Sequence, residues 1–470
     1  MTLPPGSRAQ PPFALVDFAR ADEGEQGLLF RDPLRVLVAE RVDEVAAVLD
    51  EAERAARAGY HAVGFVAYEA APAFDPALTV RATTPLPLAW FGIFPAPAPA
   101  PELAFADAAR DAADAPQWSA DTSVAAHAEA LGSIHDAIGR GDVYQVNHTL
   151  RLRAPFTGDP LALWQRMRDA QPSGYCAYLD VGAHCILSAS PELFFERRGD
   201  TITTRPMKGT ARRGRWLAED DAAALALASS AKERAENVMI VDLLRNDVGR
   251  VARAGSVHVS SLFAVERHPT VLQMTSTVEA ELAPRTTLRD IFAALFPCGS
   301  VTGAPKVAAM RKIAEFEPSP RGAYCGAIGH LAPSGDATFS VAIRTAWLDR
   351  GTGTIEYGVG GGITWDSAPS AEYDEIRAKS AIVTSAAPRF ELLETMRLTA
   401  DGYARRERHL ARLAESARYF AIPVELSEVE HELDAHARAA RDLPRRVRLL
   451  VARDGTPRIE DRPHVPDVPA

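Results

Sequence analysis

The sequence predicts an α+β protein. Extended and helical patterns follow one another along the 470 residues without the regular strand–helix–strand alternation of a parallel α/β fold. Hydrophobic residues make up 47% of the chain and charged residues 24%, which is the composition of an ordinary globular protein. By the usual relation between length and domain number, a chain of this size holds about three domains.

Charge and cysteine usage exclude several classes of protein. The net charge of −10 argues against binding to nucleic acid or to an anionic membrane, because both require a basic surface. The four cysteines show neither metal-site spacing nor the density of a disulfide-rich secreted domain, so we expect reduced thiols and a cytoplasmic location. Residues 1–18 lack a signal-peptide pattern, and no apolar stretch approaches a membrane span.

Two changes in composition divide the chain. Residues 85–101 are proline-rich, and 95–101 within them predict an extended connector that a polar loop continues to 116. Residues 1–116 are therefore expected to form an N-terminal lobe and 117–387 a catalytic domain. The second change is at Ala386-Ala387-Pro388. Residues 388–470 then begin a new strand and helix pattern, which predicts a small α+β fragment.

The N-terminal half predicts alternating helices and strands. Residues 43–60 have helical periodicity, and the apolar run 61–71 predicts a buried strand. Ser123 is expected to cap a helix that ends near Gly139. The strand from Val143 should place three polar side chains on one face: Gln145, Asn147 and Thr149.

The second half begins with strands. A strand pattern covers 176–189, and the segments 193–198 and 201–206 flank Gly199-Asp200, which predicts a hairpin. Four helices are expected after it: 232–246, and helices starting near Thr287, Thr302 and Ser370.

The hairpin suggests a catalytic pair. A two-residue turn would place Glu192 opposite Met207 and so bring Glu192 near Lys208, one of only five lysines among 52 basic residues. A bulge, or a bend at Gly209, would be needed to turn both side chains into one pocket. A carboxyl group and an amine at converging strand ends suit acid catalysis beside a nucleophile. The alternative is a surface ion pair across the hairpin.

A repeated acidic pattern suggests a metal site. Glu233 and Glu236 lie one helical turn apart, as do Glu372 and Glu375, so each pair shares a helix face. Oxygen ligands without nearby His or Cys favour Mg²⁺ over zinc. The alternative is a solvated helix surface on which Glu375 pairs with Lys379.

Small-residue turns suggest anion binding. Ser300–Lys306 runs into a helix with Thr302 at or near its N-cap, where free amides suit an anion. Val359-Gly-Gly-Gly362 would allow backbone N–H groups to approach a carboxylate, and Arg344 could supply charge. Glycine-rich turns are more often structural, so this signal is weak alone.

Taken in order, these segments resemble the chorismate-utilising enzymes, which include the anthranilate, aminodeoxychorismate, isochorismate and salicylate synthases. The resemblance covers about 13–386 and implies large mixed or antiparallel sheets packed as a sandwich with flanking helices. The motifs that carry it are Gly141-Asp-Val-Tyr-Gln-Val-Asn147, Ser190-Pro-Glu-Leu-Phe194, Pro206-Met-Lys-Gly-Thr210, Lys232-Glu-Arg-Ala-Glu-Asn237, Val241-Asp-Leu-Leu-Arg-Asn-Asp247, Thr302-Gly-Ala-Pro-Lys306, Ala342-Ile-Arg-Thr345 and Glu372-Tyr-Asp-Glu-Ile-Arg-Ala-Lys379.

The resemblance implies roles for the matching positions. Glu236 and Glu375 would hold Mg²⁺, with Glu233 and Glu372 in support, and Glu192 would be the general acid that protonates the departing 4-hydroxyl. The expected substrate-binding residues are Gln145, Gly209, Thr210, Thr302, Arg344, Gly361 and Lys379.

Two positions indicate the reaction within the family. Gln145 stands where water-using members have a lysine, and an amide cannot activate water, which implies that ammonia is the nucleophile. Lys208 matches the lysine of the aminodeoxychorismate synthases, whereas anthranilate synthases have alanine there. An amine bound at C2 would direct ammonia to C4. Gln273, where anthranilate synthases usually have histidine, agrees weakly.

The implied activity is therefore Mg²⁺-dependent amination of chorismate at C4, a transferase reaction on the route to 4-aminobenzoate and folate. No glutaminase motif surrounds the cysteines, so ammonia should come from a separate glutaminase subunit. The alternatives are an anthranilate synthase component I and, in another class, an inactive regulatory or scaffolding subunit.

Residues 390–396 and 407–413 resemble the start of a class IV pyridoxal-phosphate enzyme, the aminodeoxychorismate lyase. Arg412 would match its phosphate-binding arginine. Residues 380–470 contain no lysine, which Schiff-base chemistry needs, so no pyridoxal phosphate is expected here. A shortened chain, a fusion remnant, and a packing or partner-binding element remain open, with the remnant favoured.

Overall fold

The computed structural model describes residues 12–18, 27–81, 84–99, 116–170, 174–268, 271–384 and 390–464. These residues form two ten-stranded sheets and one four-stranded sheet. They group into two compact units. The first unit contains residues up to 209, 230–266 and 273–387, and the second contains 210–229, 267–272 and the residues from 388 onwards.

The first sheet has the strand order β16-β8-β20-β19-β10-β9-β1-β2-β6, with β7 paired to β8. Its strands are β1 (Phe13–Phe18), β2 (Leu28–Arg31), β6 (Ala98–Pro99), β7 (Ser119–Ala120), β8 (Gln145–Pro155), β9 (Tyr175–Asp180), β10 (His184–Ser190), β16 (Gly303–Ala304), β19 (Thr345–Asp349) and β20 (Thr354–Ile363).

The second sheet has the order β13-β15-β12-β11-β18-β17-β4-β5-β3, with β14 paired to β15. Its strands are β3 (Arg35–Ala39), β4 (His61–Val66), β5 (Ala89–Phe94), β11 (Leu193–Arg198), β12 (Thr201–Arg205), β13 (Met207–Arg212), β14 (His258–Arg267), β15 (Val271–Glu281), β17 (Ala327–Leu331) and β18 (Ala337–Val341).

Ten α-helices are found in the described residues. They are α1 (Val42–Arg57), α2 (Val124–Gly139), α3 (Pro160–Ala170), α4 (Leu217–Ser229), α5 (Ala231–Gly249), α6 (Leu288–Leu295), α7 (Lys306–Phe316), α8 (Pro369–Thr384), α9 (Arg406–Phe420) and α10 (Leu426–Ala439). None of them combines the length and apolar character that a bilayer crossing needs.

The two large sheets pack face to face. Val16 and Leu179 of the first sheet share one buried cluster with Phe65 and Ile328 of the second. Helices cover the outer faces: Trp164 of α3 packs in a cluster with strands of the first sheet, and other helices pack in a cluster with the second. The predicted α+β fold with large, mainly antiparallel sheets is therefore confirmed.

Strands from both sides of residue 116 share these sheets. β1 pairs with β9, and β4 pairs with β17. We therefore describe the chain by its two compact units rather than by the three predicted domains. The predicted connector forms β6 at 98–99, while its continuation over 100–115 and the composition break at 386–388 lie outside the described residues.

The C-terminal residues form the four-stranded sheet, in the order β22-β21-β23-β24. Its strands are β21 (Leu392–Thr399), β22 (Gly402–Tyr403), β23 (Arg445–Val451) and β24 (Pro457–Pro463). Alternate residues of β21 are buried, and its buried side chains share a core with Leu413 of α9 and Leu433 of α10. The strand and helix pattern predicted after 388 is present.

Several local predictions were wrong in their limits. The strand predicted over 61–71 ends at Val66, and a 3₁₀ turn with an internal proline follows at Tyr68–Ala73. The strands predicted over 176–189 are present as the antiparallel pair β9 and β10. The predicted cap at Thr302 was also wrong, because α7 begins at Lys306 with Pro305 as its N-cap. The predicted caps Ser123 and Thr287 are confirmed.

Candidate active site

The site is built around the glycine-rich end of β20. This strand pairs with β8 along its length, with Gly361 opposite His148 and Gly362 opposite Asn147. A Cβ atom added to Gly362 would lie 2.6 Å from Lys208 Nζ and still closer to Gln145 Nε2. No side chain therefore fits at this position without displacing both groups.

The neighbouring glycine faces a different set of groups. A Cβ atom on Gly361 would lie 3.2 Å from Glu372 Oε2, 3.7 Å from Glu375 Oε1 and 3.8 Å from Lys379 Nζ. The two glycines therefore face two different groups of side chains, and these groups lie near one another, because the charges of Glu375 and Lys379 act on the pKa of Lys208. We call them the amine side (Lys208 and Gln145) and the carboxylate side (Glu372, Glu375 and Lys379).

The hairpin brings Glu192 and Lys208 together, but not in the predicted register. The turn is as expected, with Arg198 opposite Thr201. The register shifts between Leu193 and Glu196, so Leu193 lies opposite Arg205. This irregularity replaces the predicted pairing of Glu192 with Met207. Gly209, where a bend was predicted, has a φ of +95°, a backbone conformation that favours glycine, within β13.

Glu192 is buried in an environment that suits a general acid. Its side chain is 3% exposed. Burial raises the pKa of Glu192 to about 7, although hydrogen bonds from Ser300 and the Met207 amide and the charge of Lys208 oppose this. Its Oε1 atom has no hydrogen-bond partner. A carboxyl group that stays protonated near neutral pH can donate a proton to a leaving group.

Lys208 has the complementary property. Burial lowers the pKa of its amine and the charge of Lys379 lowers it further, while Glu236, Glu375 and Glu192 act in the opposite direction. A depressed pKa increases the neutral, nucleophilic fraction of the amine. Gln145 lies beside it, fully buried, and neither polar atom of its side-chain amide has a hydrogen-bond partner. Unpaired buried polar atoms are costly, so this amide is suited to a polar ligand group.

The backbone around Lys208 is held by side chains that the sequence did not single out for this purpose. Asn237 Nδ2 donates to the Lys208 carbonyl at 3.2 Å, and Ser276 Oγ donates to Asn237 Oδ1 at 2.6 Å. Gln273 Nε2 donates to the Gly209 carbonyl at 2.9 Å. Gln273 was noted only as a weak sign of the reaction type, whereas here it fixes the bend after Lys208.

The carboxylate side collects acidic groups from α5 and α8. Burial raises the pKa of Glu233, and the nearby charges of Glu236 and Glu375 raise it further. Burial also raises the pKa of Glu372, with an added effect of Glu375. Burial alone would raise the pKa of Glu375, but Lys379, whose Nζ lies 2.7 Å from Glu375 Oε1, lowers it. The two acidic helix faces are therefore close enough to influence each other.

These carboxylates are compatible with a hydrated magnesium ion. No group of three or more His, Cys, Asp or Glu side chains in the described residues is arranged to hold a metal by itself. Mg²⁺, however, usually binds one or two carboxylates and completes its shell with water and substrate oxygens. Each acidic pair contains one carboxyl group whose pKa is raised, Glu233 on α5 and Glu372 on α8, and these clustered oxygen donors fit that set.

The remaining predicted residues occupy different settings. Lys379 Nζ also donates to the Gly360 carbonyl at 2.8 Å. Arg344 has a φ of 50°, and burial lowers the pKa of its guanidinium, while the nearby Tyr357 acts in the opposite direction. Thr302 is fully buried, and its hydroxyl donates to the carbonyls of Cys298 and Gly299, so only a local role is visible. Thr210 is exposed and follows Gly209 directly.

Sequence reasoning missed a buried ionic cluster beside β8. Glu317 accepts hydrogen bonds from Arg321, from Arg151 and from the backbone and hydroxyl of Thr149. Burial alone would raise the pKa of Glu317, but Arg321 and Arg151 lower it to about 2. Each of these residues looks ordinary in the sequence, and only the fold brings them together.

A buried histidine pair was missed as well. The rings of His127 and His148 stack at 5.2 Å between centroids, and His127 meets Tyr373 edge-on at 5.6 Å. Burial lowers the pKa of His148 to about 4, so the ring is neutral. The pair packs against α8 at Tyr373, the residue after Glu372.

Comparisons with known proteins establish the family of this chain. A sequence profile described as chorismate binding enzyme matches residues 16–385. The chain belongs to this family. A second profile, described as amino-transferase class IV, matches residues 391–467.

Curated relatives carry two different names. The chain is 43% identical over 258 residues to aminodeoxychorismate synthase component 1 of Escherichia coli, covering 55% of this chain and 56% of that protein. It is 42% identical over 257 residues to anthranilate synthase component 1 of Neisseria meningitidis, covering 55% and 52%. The matches thus span little more than half of these relatives.

Solved structures support the fold. Anthranilate synthase component I from Streptococcus pneumoniae superimposes with a TM-score of 0.66 at 26% identity, covering 80% of this chain and 93% of that one. The menaquinone-specific isochorismate synthase of Escherichia coli gives a TM-score of 0.62 at 18% identity, covering 80% and 89%, which shows the fold alone.

Proposed function

We propose that this family member aminates chorismate at C4 to form 4-amino-4-deoxychorismate, with Mg²⁺ as cofactor. The observation that carries the proposal is the amine side of β20. There the pKa of Glu192, raised to about 7, gives an acid near neutral pH, and the lowered pKa of Lys208 favours the neutral, nucleophilic form of its amine. Gln145, an amide, stands where a water-activating base would be needed for hydroxyl transfer.

The proposed steps balance without an oxidant or reductant. The Lys208 amine forms a bond to C2 of chorismate while the C4–O bond breaks, and Glu192 gives its proton to the departing hydroxyl, which leaves as water. Ammonia then forms a bond to C4 and the C2–N bond to Lys208 breaks. The new ammonium group at C4 returns one proton to Glu192. Lys208 leaves as the neutral amine that began the reaction.

The carboxylate side would bind the substrate through the metal. Glu236 and Glu375 would hold Mg²⁺, supported by Glu233 and Glu372, and the ion would neutralise the ring carboxylate of chorismate. Lys379, Arg344 and the backbone at Gly361, Gly209 and Thr210 would bind the other anionic groups, with Thr302 and Gln145 at the edge of the same pocket.

Ammonia would come from a separate glutaminase subunit. The four cysteines are buried and free. Burial raises the pKa of the Cys298 thiol to about 12 and that of the Cys325 thiol to about 11, which opposes thiolate formation. The "component 1" in the names of the relatives supports a second component. We also propose a cytoplasmic location, in keeping with reduced cysteines.

Residues 391–467 do not fit pyridoxal phosphate. They contain no lysine for a Schiff base. The guanidinium of Arg412, which the resemblance assigns to the cofactor phosphate, is bound by Glu394, with Nε at 2.8 Å from Oε1. We therefore derive no lyase step for this segment.

The test is identification of the product by mass spectrometry after incubation with chorismate, Mg²⁺ and an ammonium salt. We expect aminodeoxychorismate, and we expect Lys208→Ala to lose C4 amination. The matched control is Lys312→Ala, because Lys312 pairs with Glu315 on the surface of α7. Fluorescent anthranilate from the unaltered chain would instead establish the second candidate, which the names of two relatives favour. No consumption of chorismate at high ammonia would indicate an inactive subunit.

A further inference from the structure

Two stacked pairs of histidine rings in the first compact unit use their nitrogens differently. The rings of His61 and His330 stack at 5.1 Å between centroids, and His61 Nδ1 lies within hydrogen-bond distance of His330 Nε2, at 2.9 Å. The rings of His127 and His148 stack at a similar 5.2 Å. All four of their nitrogens are buried, and none has a hydrogen-bond partner among the described residues. Burying unpaired nitrogens costs free energy, so the second pair contributes through ring packing.

The His127–His148 stack begins beside a glycine of the candidate active site. His148 of β8 lies directly opposite Gly361 of β20. Opposite residues of an antiparallel pair have their Cβ positions about 5 Å apart. A Cβ atom added to Gly361 would lie 3.2 Å from Glu372 Oε2 and 3.7 Å from Glu375 Oε1. The stack therefore starts next to the strand position against which the carboxylates of α8 pack.

The stack ends on the helix that carries these carboxylates. His127 of α2 stacks on His148 with one face and meets the ring of Tyr373 on α8, with 5.6 Å between the ring centroids. The guanidinium of Arg377, one turn later, lies 5.2 Å from the centroid of the same tyrosine ring. Both histidines are 1% exposed. Three rings in contact thus link β8 to α8 through α2.

Tyr373 lies in the half of α8 that has fewer buried residues. The buried residues of this helix all follow Glu375, and they are Ile376, Ser380 and Val383. Among residues 369–375, only Tyr373 packs against the buried apolar cluster that contains Ile376. The first turns of α8, which carry Glu372 and Glu375, therefore depend strongly on the contacts of the Tyr373 ring.

We propose that the His127–His148 stack positions the turns of α8 that carry Glu372 and Glu375, with His127 as the main positioning residue. This inference rests on the proposed function, because it takes these carboxylates as the Mg²⁺ site. It gives two buried histidines a part in metal binding that requires neither ligation nor a change in their charge.

The test compares His127→Ala with His127→Phe in the full chain. In His127→Ala the link between β8 and α8 is lost, so amide hydrogen exchange of the metal-free protein should increase over 372–378. The Mg²⁺ concentration needed for half activity should rise about tenfold, as for loss of a residue that orients metal ligands, with kcat at saturating Mg²⁺ unchanged. His127→Phe should restore both, because phenylalanine keeps the ring and lacks the unpaired nitrogens.

The matched control is His330→Ala, which removes one ring from the other stack, between β4 and β17. This variant should lower the melting temperature without changing exchange over 372–378 or the Mg²⁺ requirement. If His127→Ala does not fold, His127→Leu, which fills the space without a flat ring, takes its place with the same expected results.

Unchanged exchange over 372–378 in the variant without the ring would overturn the proposal whatever happens to the activity. An unaltered Mg²⁺ requirement would also overturn it, since the stack would then only stabilise the fold. Equal losses in His127→Phe and His127→Ala would do the same, because ring packing would not be the cause. If the unaltered chain shows no Mg²⁺-dependent amination, the proposed function is lost, and the exchange of the metal-free protein still decides whether the stack holds α8.

Discussion

The two sides of β20 differ in how their polar groups are satisfied. On the amine side, both polar atoms of the Gln145 side chain and Oε1 of Glu192 are buried without hydrogen-bond partners. On the carboxylate side, Glu375 is about half exposed and paired with Lys379. Covalent chemistry needs the drier side, where pKa values shift strongly, whereas a hydrated cation needs the wetter one.

The largest effect is expected from Glu192→Gln. This variant keeps the shape of the side chain but removes the acid, so we expect kcat for C4 amination to fall by about 10²–10⁴-fold. Steady-state kinetics with saturating ammonium and Mg²⁺ will measure it. The dependence on Mg²⁺ should be unchanged. A proportionate loss of Mg²⁺ affinity would show that the two sides are not separate.

Separate alanine substitutions of the two glycines test this difference further. Gly362→Ala should displace Lys208 and Gln145 and lower kcat by about 10²-fold, because small misplacements of reacting groups are costly. Gly361→Ala is its matched control, since its nearest contact is a movable carboxylate oxygen at 3.2 Å. We expect that variant mainly to raise the Mg²⁺ concentration needed for half activity. Equal kinetic profiles for the two variants would contradict the assignment of sides.

Glu375→Gln tests the metal ligand directly. Removing one charged oxygen donor should weaken Mg²⁺ binding about tenfold, or ~1.4 kcal/mol. Titration of activity with Mg²⁺, together with calorimetric titration of chorismate and Mg²⁺, will separate binding from turnover. Asp374→Asn is the control, because Asp374 pairs with Arg377 on the same helix at the surface. Tighter or unchanged Mg²⁺ binding in Glu375→Gln would remove this residue from the metal site.

The smallest effect is one on stability. The pKa of Glu192 is raised to about 7 in the folded chain, above the value of about 4.3 expected when unfolded. The protonated form is therefore favoured by folding, and this stability is present at low pH and lost as pH rises towards about 7. Glu192→Gln should raise the free energy of unfolding at pH 8 by about 1–3 kcal/mol and leave it unchanged at pH 4. Thermal melts at both pH values will check this.

Much of the fold was predictable from local signals. The caps Ser123 and Thr287, the turn at Gly199-Asp200 and the helices that carry the acidic pairs depend on neighbouring residues only. The wrong limits arose where tertiary packing decided the outcome. Val66 ends its strand because a 3₁₀ turn begins almost immediately after it, and apolar periodicity does not distinguish the two.

The site residues that lie in sequence motifs were predictable. The residues that reach the site only through packing were not. Lys208 was conspicuous because lysine is rare in this chain. The supports of that lysine were not, since Asn237 and Ser276 reach its backbone from distant parts of the chain. The register shift between Leu193 and Glu196 was also invisible, because a bulge changes pairing without a reliable sequence signal.

The most direct measurement is the intact mass of the chain after incubation with chorismate and Mg²⁺ in the absence of ammonia. We expect the mass of chorismate less one water to be added, and peptide mapping to place it on Lys208, because no ammonia is present to release the amine. Lys312→Ala should behave identically and Lys208→Ala should stay unmodified. An unmodified Lys208 in a chain that still forms aminodeoxychorismate when ammonium is added would contradict a nucleophilic amine beside Gly362.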